Sequence, residues 1–349
     1  MQGSGIELDA KKLLTSLAQE CISSAPVIVL GSGASAAHGI PGMGKLGDHL
    51  AASALPAHLD KADLDGWAAF CERLKTTDLE AALTQVALTP AMTNHVVTTT
   101  WDFLNPFDVA VFEQVVINRR LLPLTRLFEH LFRSTVSEIQ VVTPNYDRLG
   151  EYAAEAGGFV AYTGFTYGAL ASRAGTTVPK LVYGKTPART VAIWKVHGSF
   201  GWFIDGNNVV TGLPPMKSRP AGLEPVIVTP GIEKYRLTHN EPYRSTMTHA
   251  DEAVRSANAF FCVGYGFNDQ HLQSLLVERC QNKGVPLVLI TMSISDKAKE
   301  FFKSGKCPRF MALEACEGGT RMLCNEAPDG VGIPETEYWQ LGEFLKLVT

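Results

Sequence analysis

VIVLGSGASAAHGIPGM, residues Val27 to Met43, is the stretch that decides the fold class. Val27, Ile28, Val29 and Leu30 read as a short buried parallel strand, apolar on both faces. The strand runs directly into Gly31-Ser32-Gly33-Ala34-Ser35. Glycines there let the backbone turn tightly and let a phosphate approach the N–H groups at a helix start. The common dinucleotide fingerprint places its third glycine three residues after the second. Here Ala36 stands at that place, and the next glycine is Gly39, in Gly39-Ile40-Pro41-Gly42. The pattern therefore departs from the ordinary dehydrogenase loop. It leaves a nucleotide loop followed by a second, proline-stiffened loop, with a tight βα turn that binds nothing as the alternative.

Working outward, the 349 residues are 46% hydrophobic, enough for a large core with an insertion or a second domain. Charge is nearly balanced, 31 Lys+Arg against 35 Asp+Glu, and no basic run argues for direct nucleic-acid binding. Seven cysteines, at 21, 71, 262, 280, 307, 316 and 324, form no C-x-x-C pair. That usage fits reduced thiols and a cytoplasmic protein better than a disulfide framework or a zinc site. The first residues lack an apolar signal core, and no stretch has the length to span a bilayer.

Periodicity predicts a helix over Asp9–Cys21, then the first strand, then successive helices from Gly44 to Thr135, with Asp78 and Pro123 as start signals. Strands are expected at Glu138–Thr143, Val191–Val196, Pro225–Thr229, Ala259–Val263, Pro286–Thr291 and Arg309–Leu313. Helices are expected at Arg148–Ala156, Tyr243–Ser256, Gln270–Gln281, Asp296–Ser304 and Pro334–Leu347. Gly198–Gly231 reads as loops around short strands. The alternation implies an α/β protein with a Rossmann-like, doubly wound parallel sheet and a helical insertion. The core would comprise residues 1–43 and 136–349, and the insertion residues 44–135.

Ligands on such sheets bind beyond the carboxyl ends of the strands. Four strand ends carry unusual residues: the glycine loop, Thr143-Pro144-Asn145-Tyr146-Asp147, His197-Gly198-Ser199, and Gly264-Tyr265-Gly266-Phe267-Asn268-Asp269. Each has a plainer reading. Asn145 and Asp147 could turn the chain and cap the next helix, His197 could be a core histidine, and Asn268 or Asp269 could cap a helix. Together they describe a pocket with an amide, an imidazole and carboxylates around a phosphate loop.

In content and order, Gly31–Ser35, Gly39-Ile40-Pro41, Thr143–Asp147 and His197–Ser199 resemble the sirtuin family. Tyr146 and the GYGFND stretch are more similar to its bacterial branch associated with antiphage defence. The resemblance implies a Rossmann-like sheet that binds NAD and breaks the nicotinamide–ribose bond. It implies catalytic roles for Asn145, holding the ribose and the attacking water, and for His197, accepting a proton. Gly31, Gly33, Ala34 and Ser35 would cradle the pyrophosphate, with Ile40 and Pro41 in the second loop. Asp147 would hold the carboxamide or orient Asn145. Gly264, Tyr265, Asn268 and Asp269 would line the ribose or adenine side.

Departures from the family are equally informative. The paired cysteines of the deacylases' zinc module are missing, and Gly42, Met43 and Gly44 replace the residues that follow Gly-Ile-Pro. Val226–Tyr235 stands where the acyl-peptide groove would be. These differences favour an NAD hydrolase that depletes NAD as a defence effector. The alternatives are a deacylase or ADP-ribosyltransferase, and a subunit that senses NAD or ADP-ribose without turnover. An enzyme that drains NAD needs an off state, so a homo-oligomer is expected, with a HerA-type ring ATPase as a candidate partner by family analogy. Nucleic-acid and membrane partners are not expected.

The spacings of Cys307, Cys316 and Cys324 match no common zinc pattern. Elemental analysis of the purified protein should find no stoichiometric zinc. About one zinc per chain would overturn this reading of the C-terminal region.

Overall fold

Strands form where the sequence is apolar on both faces. In the computed structural model, which describes residues 10–175, 178–229 and 240–348, strand β1 (Val27–Leu30) is buried at every position. It pairs in parallel with β2 (Glu138–Thr143) on one side and β11 (Phe260–Val263) on the other. Beyond β2 lie β7 (Thr190–Lys195) and β3 (Val160–Tyr162), and beyond β11 lie β12 (Leu287–Ile290) and β13 (Phe310–Cys316), all parallel. The chain leaves β1 toward β2 and later returns to place β11 on the opposite side. The switch point of this Rossmann-like sheet therefore lies between β1 and β11, where a ligand crevice opens in such folds.

Alternate residues of β1 face opposite cores. Ile28 packs in the cluster with Leu14, Leu127, Phe128 and Tyr152, from helices Ala10–Ser23, Pro123–Leu131 and Leu149–Ala156. Val29 packs in the cluster with Val254, Leu272 and Phe301, from helices Tyr243–Ser256, Gln270–Lys283 and Asp296–Lys303. Helices thus cover both faces, which accounts for strands without polar alternation.

The edge beyond β13 differs from the all-parallel expectation. Strands β14 (Gly319–Cys324) and β15 (Ala327–Pro334) run antiparallel. A two-residue link, Glu317-Gly318, with Gly318 at φ +72°, reverses the chain after β13. With Pro334 in a strand, the expected terminal helix shortens to Leu341–Phe344 and a 3-10 turn at Leu345–Leu347.

Gly198–Gly231, expected as loops around short strands, contains a seven-residue strand, β8 (Gly198–Ile204). Its Phe200, Trp202 and Phe203 are all buried, so apolar packing prevails over the surrounding glycines and prolines. It forms a second, antiparallel sheet with β10 (Glu224–Ile227), β9 (Val210–Gly212) and β4 (Ala171–Ser172). A small hairpin, β5 (Val182–Tyr183) with β6 (Thr186–Pro187), completes the strands described. Asp9, and the Val226–Tyr235 stretch from residue 230 onward, lie outside the described residues.

Between β1 and β2 the described helices are Ser32–Ala36, Met43–Ala51, Lys61–Leu74, Leu79–Gln85, Pro90–Ile117 and Pro123–Leu131. The Asp78 carboxylate accepts from Ala81 N at 2.7 Å, and Pro123 occupies the first turn of its helix. Leu46, Trp67, Phe70 and Trp101 share a core with Phe200 and Phe203 of the second sheet, and Trp101 donates Nε1–H to Phe200 O at 2.9 Å.

One buried ion pair ties these helices to the residues after β2. The Arg148 guanidinium reaches Asp108 Oδ2 from Nε at 2.9 Å and from Nη2 at 2.6 Å, and Asn105 Oδ1 at 2.9 Å. Arg148 N and Tyr152 Oη also donate to Asp108, each at 2.6 Å. Removing one member leaves the other charge buried and unpaired, at a cost of about 3–5 kcal/mol, whereas replacing both by apolar residues is often neutral. Asp108→Ala should therefore lower the unfolding free energy by about that amount in urea titration, and Asp108→Leu with Arg148→Met should recover most of it. A loss below about 1 kcal/mol in the single variant would contradict the clamp.

Candidate active site

The four strands whose ends carry unusual residues are consecutive neighbours in the sheet, in the order β11, β1, β2, β7. Register places their functional residues side by side. Thr143 of β2 pairs with Lys195 of β7, so Asn145 and His197 each lie two residues past a matched pair. Leu30 pairs with Val263, so Gly31 and Gly264 each lie one residue past.

The two glycine turns touch. Gly31 N donates to Val263 O, and Gly33 N to Gly264 O, both at 3.0 Å. A Cβ on Gly31 would overlap Gly264 O, and one on Gly33 would meet Gly264 Cα at 2.8 Å. Gly264 itself sits at φ +58°, where a side chain is strained. The glycines are therefore required for close backbone approach at the switch point. Ser32 and Gly33 are exposed at this edge, while Gly31 and Ser35 are buried.

Asn145 is pinned. Its Nδ2 donates to Gly31 O and to Ser35 Oγ, each at 2.9 Å. Its own N–H donates to Thr143 Oγ1 at 3.1 Å, and that hydroxyl donates to Leu30 O at 2.9 Å. Because Gly31 O only accepts, the network assigns the amide's orientation. Both Nδ2 hydrogens are used, which leaves Oδ1 as the amide's acceptor.

Behind Ser35 lies a buried carboxyl. Ser35 Oγ donates to Asp147 Oδ2 at 2.6 Å, and Leu149 N donates to Asp147 Oδ1 at 3.2 Å. Lys195, fully buried, donates Nζ–H to Asp147 O and lies 3.5 Å from Glu151 Oε1. Burial pushes both carboxyls above the usual carboxylate range, against the pull of the Lys195 ammonium. Burial holds His38 below its ordinary value, with Asp147 pulling the other way.

His197 and Asp269 meet across β7 and β11, Nε2 to Oδ2 at 2.9 Å. Asp269 also caps the helix Gln270–Lys283 through Oδ1, which accepts from Leu272 N at 3.0 Å. The loop that delivers Asp269 is strained. Phe267 lies at φ +58°, an unfavourable region for an aromatic residue that costs about 1–3 kcal/mol. Its fully buried ring packs on Tyr265, Phe301 and Phe302, a burial worth about 1.5–3 kcal/mol. Ser295 Oγ donates to Gly266 O at 2.6 Å and holds the same loop. The Tyr265 hydroxyl is buried with no hydrogen-bond partner among the described residues.

Of the residues singled out in the sequence, Gly31, Gly33, Ser35, Asn145, Asp147, His197, Gly264 and Asp269 converge. Ala34 is half-buried, its N–H donating to Gly31 O at 3.0 Å. Ile40 is buried in the sheet core, Pro41 is half-buried and Asn268 is exposed. Lys195, Glu151 and His38 join the site without having been singled out. A lysine ending the otherwise apolar run TVAIWK is the signal that could have revealed the first. Among the described residues no three His, Cys, Asp or Glu side chains form a cluster able to hold a metal, and no helix is long and apolar enough to cross a membrane.

Residues 139–304 match the family model of the SIR2-like domain. Similar solved structures include one determined for the mechanism and regulation of Sir2 enzymes, at 15% identity over 84% of this chain and 90% of that one, TM-score 0.42. Another is a Sir2 homologue in complex with NAD, at 16% identity over 100% of this chain and 94% of that one, TM-score 0.41. No curated protein matches the chain.

The raised carboxyls make stability depend on pH. A buried acid whose value is raised in the folded state stabilises the fold below the ordinary carboxylate range and loses that contribution as pH rises through the raised value. In urea titrations between about pH 4 and pH 8, the stability advantage of the native protein over Asp147→Asn should be largest at the acid end and shrink upward. A difference that grows with pH would show that Lys195 and Ser35 outweigh burial.

Proposed function

We propose that the chain, whose residues 139–304 match the family model of the SIR2-like domain, is a sirtuin-like NAD hydrolase, converting NAD and water to ADP-ribose and nicotinamide. The observation that supports this reading is the amide of Asn145, fixed by Gly31 O and Ser35 Oγ, at the end of the strand that pairs with the one ending at His197.

Nicotinamide leaves NAD neutral, taking the glycosidic electron pair onto its ring nitrogen, so no general acid is needed. The barrier lies in positive charge on the ribose and in placing the water. Asn145 Oδ1 would accept from a ribose hydroxyl or from the water, adding negative potential where positive charge develops. His197 would take the proton that water loses as its oxygen bonds to the anomeric carbon. The Ser35–Asp147–Lys195 chain would keep the Asn145 amide from rotating. Ser32 and Gly33, the exposed first residues of the short helix Ser32–Ala36, would receive the pyrophosphate, with Ala34 and Ser35 behind them. The close approach of Gly31 and Gly33 to Gly264 brings two glycine loops together at the edge where a dinucleotide would bind.

The proposal extends to a cytoplasmic defence effector, requiring no metal, that depletes NAD when assembled with copies of itself or with a HerA-type ring ATPase. The motif resemblance supports that extension. The Arg148–Asp108 pair offers it a physical route, because a shift of the helix Pro90–Ile117 would be felt three residues from Asn145.

Purified protein incubated with NAD should release nicotinamide without any acylated peptide. Asn145→Ala and His197→Ala should each lower turnover by about two to four orders of magnitude while keeping the native circular dichroism spectrum. Nicotinamide released only on addition of acetyl-lysine peptide would overturn the hydrolase reading.

A further inference from the structure

His197 and Asp269 are held from both sides. The carboxylate of Asp269 uses Oδ1 to cap a 14-residue helix and Oδ2 to meet His197 Nε2 at 2.9 Å. Their side chains are 14% and 10% exposed, so water competes little for the contact. On the other side, His197 O accepts from Val228 N at 2.8 Å. The next residue, Gly198, lies at φ +88° against Val226 O, where a Cβ would overlap. The main chain at His197 is thereby fixed, and its ring lies against the Asp269 carboxylate.

We propose that Asp269 is a positioning residue that fixes His197 in the Nε2–H tautomer, so that Nδ1 is the nitrogen that takes the proton from water. This deepens the hydrolase reading and rests on it for the identity of the proton donor. A neutral imidazole carries one N–H and one lone pair, and an ionised carboxylate only accepts. A hydrogen on Nε2 makes that 2.9 Å approach attractive rather than repulsive, and it leaves the lone pair on Nδ1. As water adds to the anomeric carbon, its proton moves to Nδ1 and the ring becomes an imidazolium beside the Asp269 carboxylate. Asp269 keeps its charge throughout, and the proton then passes to solvent. The same aspartate that starts a helix thereby sets which ring nitrogen works, a role that helix capping alone does not demand.

Asp269→Asn separates the two roles. Asparagine is as good an N-cap as aspartate, so its Oδ1 keeps the bond from Leu272 N. Its Nδ2 then faces His197 Nε2 and donates, which forces the hydrogen to Nδ1 and removes the working lone pair. We expect kcat to fall by about two to four orders of magnitude with KM for NAD changed less than about threefold; the same exchange beside the histidine of a serine-protease triad costs about 10⁴. Asp269→Ser keeps a cap oxygen without the carboxylate, gives a second folded variant, and should fall between the two.

The decisive readout is ¹⁵N NMR of histidine-labelled protein at a pH where the ring is neutral, with the His197 signals assigned by their loss in His197→Ala. Native protein should show a protonated Nε2 and an unprotonated Nδ1, and Asp269→Asn the reverse. An Nδ1–H tautomer in the native protein, an unchanged tautomer in Asp269→Asn, or full kcat in that variant would overturn the proposal. The spectrum needs no turnover, so native protein with the expected tautomer but no nicotinamide release would fault the hydrolase reading and leave the positioning role standing.

Discussion

The structure depends on one backbone contact, the packing of the Gly31–Gly33 turn against Gly264. It joins the ends of β1 and β11 at the switch point of the sheet. No side chain fits between the turns. From this fixed point, Ser35 is carried four residues along one turn to reach Asn145, and Asp269 five residues along the other to reach His197. Both polar pairs cross between strands, so neither survives if the turns separate. Substituting either of the first two glycines would therefore act on the site through geometry before it acted on any ligand.

Two kinds of force hold this arrangement, and they work at different depths. Near the surface, Asn145 is oriented by hydrogen bonds each worth about 0.5–1.5 kcal/mol net, and His197 lies against the Asp269 carboxylate. Below them, burial makes every polar group depend on its partner. Lys195, Asp147 and Glu151 lie in a region where an unpaired charge would be costly, as do Arg148 and Asp108. The strained Phe267 backbone is held by the aromatic cluster of Tyr265, Phe301 and Phe302. Rigidity at this edge is thus supplied from the cores.

Much of the fold was legible because the parallel strands are apolar runs with glycine, asparagine or histidine immediately after them. Those endings placed Asn145, His197, Gly31 and Gly264 on four strands that prove adjacent. What remained hidden depends on contacts distant in sequence. Lys195 reads as an ordinary strand-end lysine until β2 and the helix after it close over it. Arg148 and Asp108 are 40 residues apart, and neither carries a local signal of burial. Asp269 was legible as a cap, but its second partner lies 72 residues earlier on another strand. The antiparallel hairpin beyond β13 was missed because two short turns carry no helix-period signal, and β8 because composition outweighed its buried aromatics.

The most direct test of the central claim is a crystal structure of the protein with ADP-ribose. The account predicts the pyrophosphate over the Ser32–Gly33 turn and the terminal ribose between Asn145 Oδ1 and His197 Nδ1, its anomeric carbon open to a water held by those two atoms. A terminal ribose bound elsewhere, or one reached only by His197 Nε2 after the Asp269 contact has broken, would contradict it.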